Sequence, residues 1–334
     1  MRVLIAEDSI LFAEAISDVI RTGGMQVIGI AMDGRRAVEM CAELAPDLIT
    51  MDVRMPVMDG LQAIEEIMAA TPTPILVMTA DPRGESGEMS IEALRRGALD
   101  VIAKPLEWPG SPKEVAAFQE RVRLLATIRV VRHVAGKREK PVPQKRAIAR
   151  KNRVIGIATS TGGPPALAAI FQGLSADFPS AIVVTQHIAE GFAVNLAKWL
   201  NSVTPLPVRL ARDGERVAPG VVLLAPDHAH LTVTTLGTIA LETGPPVDGH
   251  RPSCTRMLQS LAKSYGRNAV GLVLTGMGRD GAAGLAELRA AGGITITQDE
   301  ASSAVFGMPK VAAASAQHVL SLDELPRFLE TVAR

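Results

Sequence analysis

Apolar residues in the first third of the chain occur in short runs, separated by segments in which they recur every three or four positions. The runs are RVLIA, QVIGIA, DLITM, PILVMTA and DVIAK, and the segments between them include GRRAVEMCAEL and GLQAIEEIMAA. Short apolar runs are typical of buried strands, and the wider spacing is typical of amphipathic helices. Their regular alternation predicts five parallel strands with helices on both faces, which is a flavodoxin-like (βα)5 doubly wound domain.

The same alternation returns after residue 153. The strand candidates are VIGIATS, AIVVTQH, PVRLA, GVVLLAP, AVGLVLTG and GGITITQ, and the helix candidates are ALAAIFQGLS, GFAVNLAKWLNSV, TRMLQSLAKSYG and GAAGLAELRAAG. The segment HLTVTTLGTIALETG predicts a local hairpin that turns at Gly237. We therefore expect a larger, Rossmann-like three-layer α/β/α domain, so that the fold class is α/β with two doubly wound parallel-sheet domains.

A basic segment separates the two regions. Residues 121–153 begin with helical spacing, become rich in Lys, Arg and Pro, and hold 12 basic and one acidic side chain, whereas residues 1–120 hold 20 acidic and 10 basic ones. The segment has no aromatic residue for stacking on bases, so we favour a solvated linker that touches the acidic first domain over a nucleic-acid-binding arm. The expected organisation is a first domain at 1–120, a basic linker at 121–153 and a second domain at 154–334.

The composition narrows the class of protein further. Hydrophobic residues make up 47% and charged residues 21%, as in soluble globular proteins, while aromatic residues at 3% leave a core of aliphatic side chains that suits buried parallel sheets. The two cysteines, Cys41 and Cys254, fall in different predicted domains, which favours a reducing cytoplasm over a disulfide framework. The start of the chain does not have the pattern of a signal peptide, and no apolar run approaches the roughly 20 residues of a membrane span.

Polar residues follow four of the five strands predicted for the first domain. Because the carboxyl ends of parallel strands meet at one edge of the sheet, these side chains should converge: Glu7, Asp8, Asp52, Thr79 and Lys104. Closely placed carboxylates repel one another unless a hard cation such as Mg²⁺ lies among them, and such a site would let a carboxylate attack phosphorus. The alternative is a set of solvent-exposed loop charges with a Lys–Asp ion pair.

The segment GIATSTGGPP predicts a strand, a tight turn and a helix, with Ser160 at the turn. His187 follows the next strand, and Asp280 follows the strand AVGLVLTG. A serine, a histidine and an aspartate at neighbouring strand ends are the parts of hydroxyl-based acyl transfer, in which the base takes the serine proton and the carboxylate orients the base. Gly162 and Gly163 would allow close approach to the backbone, whose free N–H groups could bind an oxyanion.

Each of these residues also has an ordinary structural interpretation. Ser160 could be a helix N-cap, His187 a satisfied buried histidine and Asp280 a turn residue in MGRDG. The chain order Ser, His, Asp and the turn TSTGG differ from those of α/β-hydrolases. Three other histidines are rival bases: His228, His230 and His250. A nucleotide-phosphate cradle is disfavoured because neither TSTGG nor GMGRDGAAG matches a dinucleotide or P-loop motif.

The segment PDLITMDVRMPVMDG resembles the phosphorylation segment of response-regulator receiver domains, and the likeness extends over residues 1 to about 107. The resemblance implies that Asp52 accepts a phosphoryl group from a histidine kinase. It also implies that Mg²⁺ is bound by Glu7, Asp8, Asp52 and the backbone carbonyl of Arg54. The phosphoryl group would be sensed by Thr79 and Lys104. Two positions depart from the usual pattern: Glu7 replaces the more common Asp, and Val101 stands where many receivers have an aromatic switch residue.

Six motifs in the second region occur in a characteristic order: TSTGGP, TQHIAEGF, DGERVAPG, HRPS, RNAVGLVLTGMGRDGAAG and EASSAVFGMP. Together they resemble the catalytic domain of chemotaxis protein-glutamate methylesterases, which carry an N-terminal receiver domain. The resemblance implies a triad of Ser160, His187 and Asp280, with the backbone N–H of Met277 contributing to the oxyanion site. It also implies that His250, Arg251 and Ser253 lie near the active site.

From the composition and these resemblances together, we expect a cytoplasmic monomer that is activated by phosphorylation. It would demethylate glutamate γ-methyl esters, and deamidate glutamines, on the cytoplasmic helices of methyl-accepting chemoreceptors, without a cofactor for the ester reaction and without nucleic acid or membrane insertion. The receiver would act as an inhibitory lid that aspartyl phosphate relieves. The competing hypothesis is a non-enzymatic, phosphorylation-dependent binding protein in which the esterase domain serves only as a scaffold.

Overall fold

The structure is a computed structural model that describes residues 1–82, 84–105, 109–128, 130 and 153–333. The chain divides into two compact units, Met1–Lys137 and Arg138–Arg334. Most of the predicted basic linker, residues 131–152, lies outside the described residues. Within the described part of the chain, no helix combines the length and the apolar character that a membrane span requires.

The first unit is a five-stranded parallel sheet in the order β2-β1-β3-β4-β5, with helices between successive strands. This is the flavodoxin-like architecture predicted from the alternation of strands and helices. The elements are β1 (Arg2–Ala6), α1 (Ile10–Thr22), β2 (Gln26–Ala31), α2 (Gly34–Leu44), β3 (Leu48–Asp52), α3 (Gly60–Ala70), β4 (Ile75–Thr79), α4 (Glu85–Arg95), β5 (Asp100–Ala103) and α5 (Pro112–Leu125).

Short polar side chains at the helix starts fix where these elements begin. Ser9, Asp33 and Asp59 each accept a hydrogen bond from a backbone N–H in the first turn of the helix that follows. Ser111 and Glu114 form a reciprocal capping box at the start of α5. Between the helices, β3 and β4 are buried along their whole length, as continuous apolar runs predict for central parallel strands.

The second unit contains a seven-stranded parallel sheet in the order β14-β13-β12-β6-β7-β9-β8. Because β6 lies between β7 and β12, the residues that follow these three strands meet at one edge of the sheet. The elements are β6 (Val154–Thr159), α6 (Gly163–Gln172), β7 (Ala181–Gln186), α7 (Ala193–Val203), β8 (Val208–Leu210), β9 (Val222–Leu224), β10 (His230–Val233), β11 (Ile239–Glu242), α8 (Cys254–Tyr265), β12 (Ala269–Val273), α9 (Ala282–Ala290), β13 (Ile294–Gln298), α10 (Met308–Ala312), β14 (His318–Leu320) and α11 (Leu325–Val332).

The predicted hairpin is confirmed as a separate two-stranded sheet. In it β10 pairs antiparallel with β11, and Gly237 lies in the turn with a φ of 73°. The edge strand β14 is a strand that the apolar pattern does not predict. It is three residues long and largely exposed, so it carries no buried run that could identify it.

Candidate functional site

Ser160 lies at the carboxyl end of β6, at the start of a tight turn. Its backbone N–H donates to the carbonyl of Thr275 over 3.0 Å, and its own carbonyl accepts from Gly163 N over 2.8 Å. The N-cap of α6 is Gly162, with a φ of 76°, so the interpretation of Ser160 as the N-cap is wrong. A β-carbon at Gly162 would lie 2.5 Å from Cβ of Ala304, so both the backbone conformation and the close packing require glycine there.

His187 follows the adjacent strand β7, and its ring is oriented towards Asp280. The Nε2 atom of His187 lies 2.8 Å from Oδ2 of Asp280. The other ring nitrogen, Nδ1, is buried and has no hydrogen-bond partner among the described residues. His250 stacks on the same ring, with centroids 3.9 Å apart and planes 6° from parallel. The ring therefore presents Nε2 to the carboxylate and leaves Nδ1 available for a proton.

Asp280 is held by the N-terminus of α8. Its carboxylate accepts hydrogen bonds from Cys254 N at 2.7 Å, Thr255 N at 2.9 Å and the Ser253 hydroxyl at 3.1 Å, in addition to the contact with His187. Burial would raise the pKa of this carboxyl, but the hydrogen bond and charge interaction with His187, together with the hydrogen bonds from Thr255, hold it well below its ordinary value. The free N–H groups of a helix start favour an anion in this position. Asp280 is therefore an ionised, fully engaged partner for an imidazole.

Gln186 joins the backbone at Ser160 to the backbone at His187. Its side-chain Nε2 donates to the carbonyl of Ser160 at 2.8 Å and to that of His187 at 2.7 Å. Sequence analysis missed this residue. The available signal is its position at the last residue of a predicted buried strand, directly before the candidate base, where a polar side chain needs hydrogen-bond partners.

The loop that follows β12 runs against Ser160. Gly276 N donates to Val305 O over 3.0 Å, and its carbonyl accepts from the N–H groups of Gly307 and Met308 over 3.1 and 2.8 Å. A β-carbon on Gly276 would lie 2.7 Å from Cβ of Ser160. Met277, the predicted source of an oxyanion N–H, directly follows this glycine.

The remaining histidines differ in their surroundings. The His228 side chain is 64% exposed and lies 3.6 Å from Asp227. His230 is fully buried with both ring nitrogens engaged, at 3.1 Å from Ser253 N and 3.0 Å from Pro245 O, so it has no nitrogen free for a serine proton. His250 stacks on His187, as described above.

The other residues that the resemblance places near the site take two different positions. Ser253 caps α8 and contacts Asp280, whereas Arg251 donates to the carbonyl of Gly244 over 3.2 Å.

Cys254 Sγ lies 3.4 Å from Nε2 of His187, but burial, followed by the charge of Asp280, raises the pKa of this thiol well above its ordinary value. The thiol is therefore protonated and unsuited to act as a nucleophile.

In the first unit, Lys104 lies between two buried carboxylates. Its Nζ is 2.7 Å from Glu7 Oε2 and 2.5 Å from Asp52 Oδ2. Burial would lower the pKa of Lys104, but hydrogen bonds to Asp52 and Glu7 outweigh it and raise that pKa. Burial is the main cause of a raised pKa at Glu7, reinforced by the charge of Asp52 and opposed by Lys104. Ligand oxygens of Glu7, Asp8 and Asp52 lie within 4.8 Å of one another, which is a donor set that fits Mg²⁺.

Three other positions that the receiver resemblance singles out are Arg54, Thr79 and Val101. Arg54 N donates to Asp52 Oδ1 at 3.1 Å, which places the Arg54 peptide beside the carboxylate. Thr79 is fully buried, and its hydroxyl accepts from Asp81 N at 3.4 Å. Val101 is 2% exposed. This position, where many receivers have an aromatic switch residue, is therefore occupied by a small apolar side chain of the core.

Two family models match the two units. The CheB methylesterase model matches residues 155–329, and the response regulator receiver domain model matches residues 3–110.

Relatives of known name match over the whole length. "Protein-glutamate methylesterase/protein-glutamine glutaminase 2" of Anaeromyxobacter dehalogenans is 45% identical over 337 residues, covering 100% of this chain and 97% of the relative. A protein of the same name, numbered 4, in Myxococcus xanthus is 40% identical, again covering 100% of this chain and 97% of the relative. The crystal structure of the Thermotoga maritima CheB methylesterase catalytic domain is 34% identical with a TM-score of 0.53, and the match covers 55% of this chain and 100% of that one.

These matches confirm the family and the enzyme class that the sequence motifs predict, a protein-glutamate methylesterase and protein-glutamine glutaminase. The chain belongs to the CheB methylesterase family, as a member that carries a response regulator receiver domain before its catalytic domain.

Proposed function

We propose that this protein hydrolyses glutamate γ-methyl esters, and the amides of glutamines, on the cytoplasmic helices of chemoreceptors, with Ser160 as the nucleophile. The observation that carries this proposal is the His187–Asp280 pair, joined at 2.8 Å, at the same sheet edge as Ser160. The names of the relatives support methylated glutamates and glutamines of a protein as the substrate class.

In the proposed reaction the Ser160 hydroxyl attacks the ester carbonyl while Nδ1 of His187 takes its proton. Asp280 stabilises the imidazolium through Nε2, and the backbone N–H of Met277 donates to the oxyanion. The tetrahedral intermediate collapses to an acyl-enzyme as His187 returns the proton to departing methanol. Water, deprotonated by the same nitrogen, then releases glutamate. A glutamine amide would follow the same route with ammonia as the poorer leaving group.

The receiver would regulate this reaction through Asp52. We propose that Asp52 accepts a phosphoryl group from a histidine kinase, with Thr79 and Lys104 contacting its oxygens. Glu7, Asp8, Asp52 and the carbonyl of Arg54 would hold Mg²⁺, which, when bound, neutralises charge on the phosphoryl oxygens. The added charge, about −1.5 to −2, would shift the loops near Thr79 and open a lid that covers the catalytic cleft.

We further propose a cytoplasmic monomer that does not bind nucleic acid. In it a receiver at 1–120 and a catalytic domain at 154–334 are joined by the basic linker at 121–153. The helix α5 runs to Leu125, so helical structure continues past residue 120 into the segment proposed as the linker.

The catalytic proposal is tested by methanol release from methylated receptor. The variant Ser160→Ala should lose release to the background level because it removes the nucleophile. Ser202→Ala, which removes an exposed serine hydroxyl on α7, should retain wild-type release. Equal release from the Ser160→Ala variant and the wild type would favour the scaffold hypothesis.

The regulatory proposal is tested with a small phosphodonor such as acetyl phosphate in the presence of Mg²⁺. It should raise methanol release by the wild type and speed amide hydrogen exchange at residues 160–163, and Asp52→Asn should abolish both effects while keeping basal activity. Asp18→Asn, which changes an exposed carboxylate on α1, should respond like the wild type. Stimulation that persists in Asp52→Asn would exclude Asp52 as the switch, and faster release without faster exchange would argue against a lid.

A further inference from the structure

His230 is a fully buried histidine at the start of β10, outside the proposed reaction path. The backbone N–H of Ser253 points at its Nδ1 over 3.1 Å, and its Nε2 lies 3.0 Å from the carbonyl of Pro245. A backbone N–H can only donate and a carbonyl can only accept. The two contacts therefore define a neutral ring, with Nδ1 as the acceptor and the proton on Nε2.

The residue that donates to His230 also contacts the catalytic carboxylate. Ser253 is the N-cap of α8, and its hydroxyl donates to Oδ1 of Asp280 over 3.1 Å. The next two backbone N–H groups, those of Cys254 and Thr255, complete the set of donors to Asp280 from this helix start. His230 thus contacts the same helix start that donates to Asp280.

We propose that His230 is a positioning residue for the esterase reaction, acting through Ser253 and Asp280 on the orientation of the His187 ring. The inference rests on the proposed function, since it assigns His230 to the machinery of Ser160. It replaces the role of rival base that the sequence left open. The contact that matters is the one from Ser253 N to Nδ1, because only this contact reaches the residues that hold Asp280.

Two substitutions separate the two contacts of the ring. In His230→Asn, the amide oxygen can take the place of Nδ1 and accept from Ser253, but the contact with Pro245 is lost. In His230→Gln, the amide nitrogen can take the place of Nε2 and donate to Pro245, but the acceptor for Ser253 is lost. His228→Gln is the matched control, because that side chain is 64% exposed.

The measurement is methanol release at varied receptor concentration, with thermal unfolding recorded for each variant. Since a misplacement of about 1 Å can reduce the rate by about 100-fold, we expect kcat of His230→Gln to be on the order of 10-fold or more below that of His230→Asn, with similar KM values. His228→Gln should match the wild type. A role limited to stability would make kcat independent of which contact is kept. Equal kcat values for the Asn and Gln variants, or a lower value for Asn, would overturn the proposal.

A second measurement does not depend on esterase activity or on the folding of the variants. In wild-type protein labelled with ¹⁵N-histidine, NMR should show the His230 ring protonated at Nε2 and unprotonated at Nδ1, and a proton at Nδ1 would overturn the proposal. Where the variants fold, the His187 ring resonances should move further from their wild-type positions in His230→Gln than in His230→Asn. If the wild type released no methanol, the proposed function would fail, while the His187 resonances of the folded variants would still decide whether His230 positions the His187–Asp280 pair.

Discussion

A substitution at Gly276 tests whether the loop after β12 must stay packed against Ser160 for the proposed reaction. A β-carbon at this position would lie 2.7 Å from Cβ of Ser160 and 3.2 Å from its backbone nitrogen. It would also lie 2.4 Å from Sδ of Met308, but this end of a flexible side chain can move aside more easily than the backbone of the loop and of the turn at Ser160. In Gly276→Ala the loop and Ser160 must therefore separate.

The size of the separation follows from ordinary packing distances. Van der Waals contact at such a carbon begins at 3.4 Å, so the separation needed is at least about 0.7 Å from the present 2.7 Å. The loop carries Met277, the proposed oxyanion donor, so this movement would pull its N–H away from the carbonyl oxygen of the ester that Ser160 attacks. A displacement approaching 1 Å reduces rates by about 100-fold, and overpacking costs about 1 to 3 kcal/mol in stability.

The assay compares kcat for methanol release with the free energy of unfolding of the same variant. We expect kcat of Gly276→Ala to fall by roughly 10- to 100-fold while the protein stays folded. Gly244→Ala is the matched control, because a β-carbon there meets no atom within 4 Å. Wild-type kcat in Gly276→Ala would refute the reasoning, since it would show that the loop can leave Ser160 without consequence for the reaction.

Two further predictions concern buried charges. The pKa of Asp280 is depressed in the fold, so its charge contributes stability that is present above the ordinary carboxyl pKa of about 3.9 and is lost as the pH falls below it. In urea unfolding, the difference in the free energy of unfolding between wild type and Asp280→Asn should therefore narrow as the pH falls from about 6 to about 3. A difference that does not change with pH would contradict a depressed pKa at Asp280. Lys104→Met should lower the free energy of unfolding by about 3 kcal/mol in the absence of divalent cations, because Glu7 and Asp52 then face each other uncompensated, and Mg²⁺ should restore part of the loss. Lys113→Met, at an exposed position of α5, is the control, and a Lys104→Met protein insensitive to Mg²⁺ would contradict the proposed cation site.

The sequence was sufficient to predict which strand-end residues share a sheet edge, because their placement depends only on the alternation of strands and helices. Once the sheets are parallel, the residues after β6, β7 and β12 must share an edge, whichever side chains surround them. The same rule brings Glu7, Asp52 and Lys104 together in the first unit. These predictions required no knowledge of individual contacts.

The contacts that hold the site could not be derived in the same way. The pairing of His230 with Ser253 spans 23 positions, and that of Asp280 with Cys254 spans 26, and no local spacing rule connects such residues. The ring orientation of His187, with Nε2 towards the carboxylate, depends on the position of Asp280, which the start of α8 holds. β14 was missed for a different reason, since its pairing with β13 leaves most of its side chains exposed.

The anchoring of Asp280 by main-chain N–H groups has a consequence for the evolution of the site. Because two of its donors are the backbone groups of residues 254 and 255, exchange of their side chains leaves those donors in place. Both side chains are nevertheless buried, and the Thr255 hydroxyl accepts from Gly281 N over 2.8 Å, so evolution can vary these two positions only within a small enclosed space, even though the proposed catalytic acid is held by the main chain.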